Sequence, residues 1–95
     1  YVVHYTPDGF ISLVNDQMVN ILGLNVTDIV GKHQSEIFGM GESPEQQNEF
    51  WNDLRNGVVR QRNFKSKKVA LSETYSPVTN AKGKVDKIIC IAVRG

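Results

Sequence analysis

Ser43-Pro44-Glu45-Gln46 constrains the fold more than any other stretch of the chain. A serine cap, a proline at the first helical position and a glutamine at the third form a capping box, in which the two side chains satisfy backbone N–H groups that a first turn leaves unpaired. The spacing predicts a helix from Pro44 to Asn56, with Phe50, Trp51 and Leu54 as its apolar stripe and Asn56-Gly57 as its end. After it the apolar period changes. Residues 58–66 and 68–78 read as strands, Asn80-Ala81-Lys82-Gly83 as a turn, and residues 84–93 as a last strand. Connections this short between successive strands require antiparallel pairing.

Upstream of the helix, residues 1–6 and 10–14 carry β-branched and aromatic side chains around Pro7-Asp8-Gly9, the pattern of a β-hairpin. Asn15 can cap a short helix in which Val14, Met18, Ile21 and Leu22 recur at helical spacing and Gly23 supplies the stop. Asn25 and Gly31 bracket a second helical piece holding Val26, Ile29 and Val30, and residues 33–38 can form one more turn. None of these pieces is long enough to be stable alone.

At 95 residues the chain holds one hydrophobic core, and 40% hydrophobic with 22% charged residues is an ordinary globular composition. The net charge of +1 comes from interleaved signs, which argues against a phosphate-binding surface. The basic run Arg60, Arg62, Lys65, Lys67 and Lys68 has no stacking aromatic beyond Phe64 and reads as a solvated sheet edge, so no nucleic-acid partner is expected. Cys90 is the only cysteine, which excludes an internal disulfide and favours the cytoplasm. No apolar run approaches the roughly 20 residues of a membrane span, and no direct membrane contact is expected of the domain, although a parent protein could be membrane-anchored. Asn25-Val26-Thr27 matches a glycosylation acceptor but reads as a polar helix start. His4 and His33 are the only histidines, and no residues have nucleophile–base or metal-ligand spacing, so no catalytic residue and no metal set is assigned and the chain is not read as an enzyme.

The order of elements, two strands, short helices, one longer helix and three strands, resembles the PAS fold over essentially the whole chain. Asp8-Gly9-Phe10-Ile11 with Val14-Asn15 is similar to that family's first hairpin, and Leu22-Gly23-Leu24 with Asp28-Ile29-Val30-Gly31-Lys32 to its central helical motif. Residues 49–57, Tyr75-Ser76-Pro77-Val78 before Gly83-Lys84-Val85, and His33 after Gly31-Lys32 are similar to PAS domains of bacterial chemoreceptors. Two departures stand out. Residues 65–68 replace a glycine-containing turn, and Ala70 stands where tryptophan is frequent, which either enlarges a pocket or flattens an exposed sheet surface.

The resemblance implies an α+β fold with a five-stranded antiparallel sheet and helices on one face. It also implies that residues 1–95 are a single domain core without flanking signalling helices. Its implied role is a sensor of a bacterial chemotaxis receptor or two-component histidine kinase, with conformational output. A small ligand would lie between sheet and helices against Met18, Leu22, Ile29, His33, Ile37, Phe50, Trp51, Leu54 and Tyr75. The expected state of the purified fragment is cofactor-free, with flavin and haem as alternatives. His33 either ligates haem iron or hydrogen-bonds a turn; Trp51 either flanks a flavin or packs in the core. The last strand has apolar residues on both faces, and Ile88, Cys90 and Ala92 are expected to form an outer face covered in a homodimer. A ligand-free dimerisation module is the competing reading.

Overall fold

The computed structural model describes residues 1–95. Strands β1 (Val2–Tyr5), β2 (Ile11–Val14), β3 (Arg60–Lys65), β4 (Ala70–Thr79) and β5 (Val85–Arg94) form one antiparallel sheet in the order β2-β1-β5-β4-β3. Between β2 and β3 the chain makes α1 (Asp16–Leu22), a single 3₁₀ turn (Val26–Asp28), α2 (Gln34–Phe38) and α3 (Pro44–Arg55). This is the α+β architecture that the sequence predicts, with helices on one face of the sheet.

The local signals act as chemistry requires. The Asn15 side chain accepts the Met18 N–H, and Gly23 ends α1 in the left-handed conformation. Ser43 Oγ accepts the Gln46 N–H while Gln46 Oε1 accepts the Ser43 N–H, completing the box that starts α3. The Ser66 hydroxyl closes the short β3–β4 connection by accepting the Lys68 and Val69 N–H groups. Pro77 pairs with Ile88 beyond the end of β3, where β4 is itself an edge, so no ladder loses a donor to it.

Strand alternation decides which side chains meet the helices. Val3, Tyr5, Leu71, Glu73, Tyr75, Ile88, Cys90 and Ala92 are all buried. This corrects the expected outer face: Ile88, Cys90 and Ala92 point inward, and Ile89, Ile91 and Val93 point outward, with Ile91 56% and Val93 60% exposed. Volume explains the choice. Cys90 lies opposite Tyr75 and Ala92 opposite Glu73, so two small residues make room for large ones on the inner face, while the bulkier aliphatics go outside. Ala70 is exposed, which places its small side chain on the outer surface and not beside the core.

Candidate ligand site

The space between α3 and the sheet is built from aromatic rings. α3 delivers Phe50 and Trp51 one after the other, and Tyr5 and Tyr75 rise from β1 and β4 to meet them. Tyr5 lies 5.4 Å from Trp51 and 5.7 Å from Tyr75, Phe50 lies 4.9 Å from Tyr75, and Trp51 lies 6.1 Å from Tyr75, between ring centroids. Phe38 and Phe64 make a separate edge contact at 5.3 Å. These are packing distances for aromatic pairs, so the rings fill the centre.

His33 belongs to the chain's own hydrogen bonding. Its Nε2 is 3.0 Å from the Asp8 carbonyl, which can only accept, so Nε2 carries the proton. Nδ1 is then the acceptor for the Ser35 N–H at 3.2 Å, and the ring caps α2 while Glu36 accepts the His33 N–H. With both ring nitrogens engaged, His33 as packed does not fit an iron ligand. Trp51, 3% exposed, packs against Tyr5, Phe50 and Tyr75, the core role that sequence reading set beside the flavin one.

A buried polar chain runs along the inner face of β3 and β4. Arg62 stands directly across the ladder from Glu73. Its Nε donates to Glu73 at 2.8 Å, and its two terminal nitrogens donate to Glu42 at 2.7 Å and to the Phe38 carbonyl at 2.6 Å. Tyr75 donates to the same Glu73 oxygen at 3.0 Å and accepts from Gln34 Nε2 at 3.3 Å. One arginine thus ties the end of α2 and the loop after it to the sheet. Burial pushes the Glu73 carboxyl above its ordinary pKa, and the attraction and hydrogen bond of Arg62 do not fully offset it. Burial would lower Arg62, but the acidic partners Tyr75 and Glu73 hold it raised. Tyr5 and Tyr75 are both raised well above the usual phenol range, mainly by burial.

Beside this chain a cleft of about 270 Å³ opens between α3 and β3, lined by Gln34, Glu42, Gln46, Gln47, Glu49, Phe50, Arg60, Gln61 and Arg62. The Arg60 guanidinium lies 5.2 Å over the Phe50 ring and pairs with Asp53. Of the residues that sequence reading placed around a ligand, Phe50 reaches this cleft. Met18, Ile29, Trp51, Leu54 and Tyr75 are buried in the core, while Leu22, His33, Ile37 and Phe50 are half-buried. His33 and Trp51 border a shallower surface depression with Asp8 and Arg55.

Sequence reading missed Gln34, Arg62 and Glu73, and treated Arg62 as part of a solvated edge. β3 is the edge strand, but Arg62 shares a face with buried Phe64 and is itself only 14% exposed in its side chain. Parity with Phe64 was the available signal. No helix in the chain is long and apolar enough to cross a membrane.

Comparison with known proteins agrees with this architecture. A family model described as a PAS domain matches residues 1–93. The biofilm dispersion protein BdlA of Pseudomonas aeruginosa is 28% identical over 93 residues, covering 92% of this chain and 22% of that protein. The chain therefore spans about a fifth of that curated relative. Among solved structures, the PAS domain of the histidine kinase ThkA superposes with a TM-score of 0.69 at 18% identity, covering 99% of this chain and 96% of that one. A light-oxygen-voltage domain studied with a flavin analogue superposes at 0.76 and 13% identity, over 99% of this chain and 76% of that one. At these identities the structures speak for the fold alone.

Proposed function

This chain belongs to the PAS domain family, and on that footing we propose that it is a sensory module that binds a small ligand between α3 and the sheet and relays a conformational change to an effector of the chemoreceptor or histidine kinase type. It transmits and does not catalyse. The observation that carries this reading is the connection between cleft and loop: Gln34 lines the cleft and donates to Tyr75, Tyr75 and Arg62 share Glu73, and Arg62 holds Glu42 and the Phe38 carbonyl. A ligand that favours one arrangement of this chain shifts the loop by its difference in affinity for the two arrangements. The reading places the domain in the bacterial cytoplasm, where a lone thiol such as Cys90 stays reduced.

The test begins with an ultraviolet-visible spectrum and native mass spectrum of protein purified under mild conditions, to find any retained flavin, haem or metabolite. Amide chemical shifts are then followed against a library of small metabolites. A binder should move resonances in the cleft and at residues 39–43 together. If no compound moves the cleft, or if cleft shifts leave residues 39–43 unmoved, the sensory reading is wrong.

A second reading, a ligand-free dimerisation module, is favoured by the filled aromatic centre and by the exposed apolar row of Ile91 and Val93 on the outer face. In either reading that row, together with helices outside residues 1–95, is where a second copy would pack.

A further inference from the structure

We infer that the cleft between α3 and β3 takes a small organic cation rich in N–H donors, of the amine or amidine class. The inference rests on the reading of this cleft as a ligand site, and three features of the chain's own residues define the class.

Gln34 is 1% exposed, lines the cleft, and its Oε1 has no hydrogen-bond partner. Its orientation is fixed by its neighbours. The Glu73 carboxylate that Tyr75 faces can only accept, so the Tyr75 hydrogen is committed to Glu73 and the Tyr75 oxygen must accept from Gln34 Nε2. Flipping the amide would set two acceptors against each other. Gln34, which lines the cleft, therefore keeps its carbonyl oxygen buried and without a donor, and buried polar atoms in native proteins are nearly always paired.

The charges select the sign of the ligand. Both arginines of the cleft are already neutralised, Arg60 by Asp53 and Arg62 by Glu42 and Glu73. Glu49 lines the cleft and makes no ion pair. An anion would have to break an existing pair to find a cation. A cation meets an unpaired carboxylate directly, and its N–H groups supply what Gln34 lacks. The volume of about 270 Å³ lies just under the range of roughly 300–1,000 Å³ usual for drug-sized ligands, so the ligand is small.

Benzamidine and benzoate share a shape and differ in charge and in N–H donors, which makes them the discriminating probes. Each is titrated into the ¹⁵N-labelled 95-residue chain, with the same titrations on Glu49→Gln and Gln34→Leu. Benzamidine should shift the Gln34 side-chain amide and the backbone amides of Phe50 and Arg62, while benzoate at equal concentration leaves them still. Glu49→Gln should weaken benzamidine roughly twofold to fivefold, the range for a solvent-exposed charge pair, and Gln34→Leu should abolish the cleft shifts. Glu49 sits on the exposed side of α3, so its variant tests the charge even if Gln34→Leu does not fold. Equal binding of benzoate, benzamidine binding that Glu49→Gln leaves intact, or no benzamidine shift at the cleft overturns the inference. If other library compounds shift these resonances when benzamidine does not, the ligand class alone is wrong; if none does, the sensory reading falls with it.

Discussion

Tyr5 and Tyr75 lie side by side on the inner face of the sheet with ring centroids 5.7 Å apart, yet of their two buried hydroxyls only that of Tyr75 is hydrogen-bonded. The Tyr75 oxygen bridges Gln34 and Glu73, whereas the Tyr5 hydroxyl, pushed up by burial and then by Tyr75 beside it, has no hydrogen-bond partner of its own. A buried hydroxyl with no partner keeps its desolvation cost, while one that bridges two groups offsets theirs.

The two tyrosines should therefore respond oppositely to loss of the hydroxyl. Tyr5→Phe removes an unsatisfied group and should leave the urea midpoint unchanged or raised. Tyr75→Phe strands both Gln34 Nε2 and one side of Glu73, and should cost about 1–3 kcal/mol. Equal losses in the two variants would show that the Tyr5 hydroxyl has a partner after all.

Gly9 sits at φ +92° where the first hairpin turns under α3, and an added Cβ would come within 2.7 Å of His33 Nε2 and of the Trp51 ring. Gly83 adopts a similar φ of +80° with open space around it. Gly83→Ala should cost only the left-handed conformation, about 1–2 kcal/mol. Gly9→Ala adds overpacking to that, a further ~1–3 kcal/mol, and should disturb the near-ultraviolet signal of Trp51. Denaturant melts of the two variants give the difference; matched losses would mean that His33 and Trp51 move aside freely.

The elements whose signals are local could be read before the fold was known. Ser43 and Gln46 announce α3 because a cap depends only on residues three apart, and Asn15 and Gly23 bracket α1 for the same reason. The first hairpin and the antiparallel run of β3, β4 and β5 followed from period and turn chemistry, while their union in one five-stranded sheet came from the family resemblance. What the sequence hid depends on which face of a strand turns inward. Alternation along β5 is apolar on both sides, so Ile91 and Val93 compete with Cys90 and Ala92, and only the volumes of Tyr75 and Glu73 across the ladder decide. Arg62 and Glu73 are 11 residues apart and meet through pairing register, which no spacing rule reveals. The ligand-pocket expectation followed apolar residues, whereas the open cleft is mostly polar and has Phe50 in common with it.

Glu73 gives the fold a pH dependence with a definite sign. Burial raises its carboxyl above the ordinary value of 4.5, so the folded chain holds a proton that the unfolded chain has released. Where the native state binds more protons, stability falls as pH rises. That loss should begin near pH 4.5 and end above the raised pKa of the folded state. Glu73→Gln keeps the shape and removes the titration, so urea midpoints of wild type and variant between pH 4 and pH 7 should converge at the acid end and separate as pH rises. Parallel curves would mean that Arg62 fully compensates the buried carboxylate.

The outer face offers the last test. Ile91 and Val93 are more than half exposed on β5, and Ile91 sits opposite Val2 on β1 and Thr74 on β4, in the middle of the sheet. A central strand cannot be masked by the edge devices that protect β2 and β3, so its apolar side chains either remain in water or meet another apolar surface. Ile91→Glu places a charge in that row without touching the core, because the inward neighbours Cys90 and Ala92 keep their contacts. If a second copy packs there, the variant should shift sedimentation from dimer to monomer at concentrations where the wild type is dimeric, with a thermal midpoint that no longer rises with protein concentration. A wild type that is dimeric by sedimentation and stays so after Ile91→Glu would place the contact elsewhere on the molecule.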